Sequence, residues 1–162
     1  MQTLVFDEKG NILHQDMFNL DGSSKWSLGW GHVYDAQGRE VKTYYYNSKG
    51  ALTNTGISVY DEKGRRTETT QINPNGSINH IQAFFYDEKG NNIREAHRNE
   101  NGSARNVINR KYNTDGRVTE EIFLGGDGAL DHRSVFTYDP HGNQTSLRKK
   151  ETHSRKAGGF PL

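Results

Sequence analysis

The chain has 162 residues, 21 Lys and Arg against 20 Asp and Glu, no cysteine and 31% hydrophobic residues, and its mean hydropathy is −0.98. These values exclude a disulfide framework or thiolate metal site, a run of membrane length and the basic stripe of a nucleic-acid array. Apolar content is also low for a two-layer core, so the aromatics, 10% of the chain, must be buried in something thin. Met1 leads straight into patterned sequence without a basic or apolar segment, so no signal peptide is expected. The expected compartment is therefore the cytoplasm, unless the chain was cut from a longer exported one.

Taken in order, the sequence repeats one phrase. Phe6-Asp7-Glu8-Lys9-Gly10 opens it, and Tyr34-Asp35, Tyr60-Asp61, Tyr86-Asp87, Tyr112-Asn113 and Tyr138-Asp139 begin further copies, 26 residues apart from Tyr34 onward. A second turn follows each first one: Asn19-Leu20-Asp21-Gly22, Asn47-Ser48-Lys49-Gly50, Asn73-Pro74-Asn75-Gly76, Asn99-Glu100-Asn101-Gly102 and the looser Gly125-Gly126-Asp127-Gly128. Asp or Asn at the first position of a type I turn bonds back to the backbone, and Gly at the fourth takes the left-handed conformation. That pair of residues closes a three-residue hairpin with a Gly bulge. The stretches between turns are strand-length and rich in Val, Ile, Thr, Tyr and Phe. The fold class is therefore all-β: an antiparallel meander of about twelve strands, built from six 26-residue β-hairpin repeats. With no helix to cover it, a coiled open sheet is expected, and a closed up-and-down barrel is the alternative. Residues 1–150 form the repeat domain, and 151–162 an irregular tail or cap; basic residues cluster at Arg148-Lys149-Lys150 and Arg155-Lys156.

With only the turn bulge counted, Tyr34 pairs with Glu40, Val33 with Val41, and Tyr46 with Leu52. Strand lengths are even, so the residues before every turn fall on one face. That tyrosine face then collects Leu52, Tyr60, Ile72, Ile78, Ile108, Tyr112, Leu124 and Tyr138. The face opposite is mixed, with Ile57, Val59, Val107 and Phe123 among polar residues.

Tyr-Asp-x-x-Gly followed by Arg or Asn at regular spacing, as in Tyr34–Arg39, Tyr60–Arg65, Tyr86–Asn91 and Tyr138–Asn143, resembles the YD repeats of the Rhs and teneurin families over about residues 5–147. The resemblance implies β-hairpin ribbons that coil into shells, some enclosing a toxin and others serving surface recognition, loosely described as sugar binding. The period of 26 is longer than that family's usual repeat, and six repeats are too few to enclose a toxin domain. Asp139-Pro140-His141-Gly142 sits in register with the other turns and reads as an ordinary turn.

The seven histidines form no HxH or HExxH pattern. His80 and His132, at equivalent places two strand pairs apart, are too distant for a metal site unless the sheet closes. Asp7, Asp35, Asp61, Asp87 and Asp139 read as turn formers, too sparse for calcium. Glu120 and Glu121 point to opposite faces and make a poor glycosidase pair. No cofactor and no metal is expected. The repeat breaks between Gly22 and Tyr34, where two extra residues accompany both tryptophans. In the register above, Trp26, Trp30 and His32 share a face with Tyr44 and Tyr46, and Trp30 lies opposite Tyr44. Such a platform binds sugar faces or apolar groups. The expected function is a non-catalytic binding or structural module that recognises a glycan or a protein surface through Trp26, Trp30, His32, Tyr44 and Tyr46. One alternative is a barrel-type enzyme using His32 with Glu40. The other is a self-assembling scaffold whose open sheet edges pair between copies.

Overall fold

The computed structural model describes residues 1–151. It contains β1 (Gln2–Phe6), β2 (Ile12–Phe18), β3 (Ser24–Tyr34), β4 (Glu40–Tyr46), β5 (Leu52–Tyr60) and β6 (Arg66–Ile72). These are followed by β7 (Ile78–Tyr86), β8 (Asn92–Asn99), β9 (Ala104–Tyr112), β10 (Val118–Gly125), β11 (Leu130–Tyr138) and β12 (Gln144–Glu151). There is no helix among the described residues. The strands form one 12-stranded antiparallel sheet in sequence order from β1 to β12, an open meander rather than a closed barrel. The expected tail, from 152 onward, lies outside the described residues. By contacts the chain falls into two compact units, Met1–Ala83 with Asn99–Asn101, and Phe84–Arg98 with Gly102 onward.

The turns form as their residues dictate. At the turn between β3 and β4, Gly38 N–H donates to the Asp35 carbonyl at 2.9 Å and Asp35 N–H to the Arg39 carbonyl at 3.0 Å. The Asp35 carboxylate accepts from the backbone N–H of Gln37 at 3.0 Å and of Arg39 at 2.9 Å. All eleven turn glycines have φ between 73° and 89°, the region that a side chain disfavours. At three turns the third residue makes the bond to the backbone: Asp21, Asn75 and Asp127 accept from the N–H two residues on. Gly126 answers a separate need, since a Cβ there would lie 2.3 Å from the Ala104 carbonyl oxygen.

The expected register holds at Tyr34–Glu40 and Tyr46–Leu52 but fails one step further. Val33 pairs with Lys42, not Val41. In each successive strand pair from β1–β2 to β6–β7 and from β8–β9 to β11–β12, the ladder slips by one residue just beyond the turn. An extra residue, such as Val41, Thr53, Thr67 or Thr119, is left unpaired as a β-bulge. Where that residue is Thr its hydroxyl is used: Thr53 donates to the Tyr45 carbonyl at 3.0 Å, and Thr67 and Thr119 to Val59 and Lys111 at 3.3 Å. One extra residue inverts the alternation of side chains. The residues before successive turns therefore lie on opposite faces. In the first unit Tyr34 and Tyr60 share one face, while Phe18, Tyr46, Leu52, Ile72 and Ile78 lie on the other. In the second unit Ile108, Tyr112, Phe123 and Tyr138 share a face, and Val107, Leu124 and Leu130 lie opposite.

The tyrosine of the phrase ties one repeat to the one before it. Tyr60 Oη donates to the Glu40 carbonyl at 2.8 Å, Tyr112 Oη to Asn92 at 2.8 Å, and Tyr138 Oη to Val118 at 2.7 Å. Glu40 and Val118 each adjoin the extra residue of a bulge, so there the phenol bonds a carbonyl next to the disturbed ladder. The arginine of the phrase has two partners. Arg39 Nε donates to the Asp35 carboxylate at 2.7 Å, and its guanidinium lies 4.9 Å from the centre of the Tyr60 ring. Apolar burial is thin by comparison. Among the described residues Ala96 and Ile108 are the buried hydrophobic ones, and no large side chain is fully buried.

Candidate functional site

β3 is the longest strand, 11 residues against 9 for β5, β7, β9 and β11. It runs unbroken, so Trp26, Leu28, Trp30, His32 and Tyr34 do share a face, as the alternation predicts. Their cross-strand partners are Met17 for Trp26, Gln15 for Leu28 and Tyr45 for Trp30. Both tryptophans are half-buried, and Leu28 is exposed. Tyr44 and Tyr46 do not belong to this group. The bulge at Val41 turns them to the opposite face, where their rings cover the bare backbone of β3. A Cβ on Gly31 would stand 3.5 Å from the Tyr44 ring, and one on Gly29 would stand 3.5 Å from Tyr46 Cβ. Tyr45, absent from the predicted patch, takes their place beside Trp30 and reaches over Gly56. Its signal was there in the run Tyr44-Tyr45-Tyr46, where any register leaves one tyrosine on each side.

His32 closes the strip at its buried end. Nδ1 lies 2.5 Å from the Glu40 carboxylate and Nε2 lies 3.0 Å from the Ile12 carbonyl; Thr43 Oγ1 donates to the other Glu40 oxygen. Both ring nitrogens face acceptor atoms of the fold, so both sides of the ring are engaged internally. The ring stacks on Tyr34 at 6.3 Å. Tyr34 Oη donates to Asp7 at 2.7 Å, and Asn11 Nδ2 donates to Tyr34 Oη. That hydrogen bond from Tyr34 is the main reason the Asp7 carboxyl is lowered from 3.8 to about 2. Burial, and then the bond to Asp7, push the Tyr34 phenol up from 10.0 to about 12.

The pair confers a two-sided pH dependence. The depressed carboxyl contributes stability that is complete above its ordinary value and is lost as pH falls from about 4 toward 2. The raised phenol contributes stability that is complete below pH 10 and is lost as pH rises toward 12. Denaturant midpoints measured from pH 2 to 7 should therefore show wild type ahead of Asp7→Asn at pH 6, with the gap closing by pH 2. A gap that does not vary with pH would contradict this assignment.

Other groups of reactive residue types are also closed. Ser27 Oγ and Asp16 approach His14 at 3.0 and 2.9 Å, but both meet the same nitrogen, Nε2. A nucleophile relay needs one partner on each nitrogen. His132 stacks on Phe123 at 4.1 Å. Among the described residues no three His, Asp or Glu side chains converge as a metal site. Glu120 and Glu121 face opposite ways, Glu120 to Lys111 at 2.6 Å and to Arg133, Glu121 to Arg110 at 2.7 Å. Arg110 also pairs with Glu95. Residue spacing could have revealed this triad, because Glu95 and Glu121 stand 26 residues apart, at one place in consecutive repeats.

No family model matches the chain, and no curated protein does. Solved structures that resemble it include the Tc holotoxin pore of Photorhabdus luminescens, at 16% identity and a TM-score of 0.48, covering 93% of this chain and 9% of that one. A porin-like protein from Bacteroides uniformis resembles it at 13% identity and a TM-score of 0.50, covering 85% of this chain and 54% of that one. The chain thus spans about a tenth and about half of these two proteins, and the likeness to the porin-like protein is one of all-β fold. No helix among the described residues is long and apolar enough to cross a membrane.

Proposed function

We propose that the chain is a YD-type β-hairpin repeat module that binds without catalysis, taking a glycan on the strip formed by Trp26, Leu28, Trp30 and Tyr45. The observation that carries this reading is the strip itself, half-buried and set on the one strand that outgrows its counterparts. Alternate residues of a strand stand about 6.6 Å apart along it, so the two indoles offer separated flat faces with an apolar step between them. Aromatic faces suit the C–H side of a sugar ring. His32, Glu40 and Thr43 hold the buried end of the strip rigid, and Tyr44 and Tyr46 support β3 from behind. The internal engagement of both His32 ring nitrogens favours this reading over the enzyme alternative.

A glycan array probed with the whole chain tests it. At least one immobilised glycan should give a saturable signal. Trp30→Ala should weaken that signal tenfold or more, about 1.4 kcal/mol, while strand content by circular dichroism is unchanged. A blank array, or a signal indifferent to Trp30, would sink the reading.

A further inference from the structure

Three tyrosines of the phrase, Tyr34, Tyr60 and Tyr138, are covered by a cation from the first-type turn before them. Arg39 lies 4.9 Å from the Tyr60 ring centre and Arg117 lies 5.9 Å from that of Tyr138. In the first turn the position after the glycine is Asn11, and Lys9 takes over, its ammonium 3.7 Å above Tyr34. The fourth first-type turn departs from this rule. The residue after its glycine is Asn91, whose amide donates to the Asp87 carboxylate at 2.8 Å. It thus copies the bond that Arg39 makes to Asp35 but is too short to reach further. No cation stands over Tyr112 among the described residues. A groove of about 580 Å³ opens at this place, bounded by Asn91, Ile93, Tyr112 and the carboxylate-bearing Asp87 and Glu88. Lys89, which occupies the place of Lys9, lines the groove instead of covering the ring. Arg110 and Lys111 also reach the groove, but their charges are met by Glu95 and Glu121 and by Glu120. The Tyr112 ring is fixed in position by its bond to the Asn92 carbonyl.

We infer that the groove over Tyr112 receives an arginine side chain from an extended segment of a partner protein, which supplies the cation that Lys9, Arg39 and Arg117 supply at Tyr34, Tyr60 and Tyr138. The guanidinium lies on the ring face, as Arg39 does on Tyr60, and the acidic side of the groove, Glu88 foremost, meets its charge. This site is separate from the strip on β3 and does not depend on it.

A short peptide with one arginine flanked by glycines, titrated into the isotope-labelled whole chain, tests the inference against the same peptide with citrulline. The ring resonances of Tyr112 and the side-chain amide of Asn91 should shift saturably with the arginine peptide. Citrulline, which keeps the shape without the charge, should bind at least tenfold more weakly. Asn91→Arg should restore the missing cover, abolish peptide binding and raise the melting temperature. Tyr112→Leu, monitored for strand content, should also abolish binding. Equal binding of citrulline, no saturable shift at Tyr112, or binding that survives in either folded variant would overturn the inference.

Discussion

Tyr60→Ala should destabilise the protein by about 3 kcal/mol, and Tyr60→Phe by about 1 kcal/mol, in equilibrium denaturation. The hydroxyl alone accounts for the smaller figure. It donates to the Glu40 carbonyl at 2.8 Å, a group at the edge of a bulge that the ladder does not fully satisfy. Removing the ring as well takes away the surface on which Arg39 rests, in a sheet with few buried apolar side chains to compensate. The position of the phrase occupied by Tyr60 is held by Phe6 in the first copy, so the sheet accommodates an aromatic without a hydroxyl there. The phenylalanine variant should therefore fold fully and lose only the increment from the hydrogen bond. A Tyr60→Ala variant as stable as Tyr60→Phe would show that the ring contributes nothing beyond its hydroxyl.

The second large effect lies in the other unit. Arg110→Leu should cost about 3 kcal/mol, and the triple variant Arg110→Leu, Glu95→Gln, Glu121→Gln should recover most of that loss. Arg110 lies between two carboxylates, 2.7 Å from Glu121 and bonded to Glu95, and all three side chains are mostly buried. Removing the cation leaves two like charges facing each other with little solvent around them, and such an uncompensated pair is far more costly than the intact triad is favourable. Neutralising both glutamates removes the repulsion, and the amides can still hydrogen-bond. Thermal melts of the single, double and triple variants distinguish this from simple loss of packing, which the two glutamine changes would not repair.

The parts of the fold that were legible in the sequence are those set by local chemistry. Asp35 and Gly38 close their turn through bonds that span four residues, and every turn read from the Asp/Asn-x-x-Gly pattern carries its glycine at positive φ. Pairs adjacent to a turn, such as Tyr46 with Leu52, followed from the same geometry. The second bulge was not legible, because the unpaired residue has no fixed identity. It is Leu13 after one turn, Val41 after another and Asp131 after a third, and the slip is a property of the backbone. Only Thr53, Thr67, Thr119 and Thr145, recurring at one place, hinted at it. The candidate site divides along the same line. Trp26, Trp30 and His32 were grouped correctly because they alternate along one uninterrupted strand. Tyr44 and Tyr46 were misplaced because reaching them means crossing a bulge. The bond from Tyr60 to Glu40 was beyond reach as well, since its partners are 20 residues apart, at the ends of β4 and β5 furthest from the turn that joins them.

The bulge after each turn also limits how such a chain can be lengthened. One bulge reverses the phase of the side chains and two restore it, so only a whole 26-residue period returns a tyrosine to the face where its carbonyl acceptor waits. Duplication of a single strand with its turn would send the next tyrosine to the wrong side, whereas duplication of a hairpin pair would go unnoticed by its neighbours. The same parity governs insertions within a strand. β3 accommodates two additional residues without disturbing Tyr34, where one would have inverted it. Growth by copying is therefore quantised in pairs of strands, and novelty within a strand in pairs of residues.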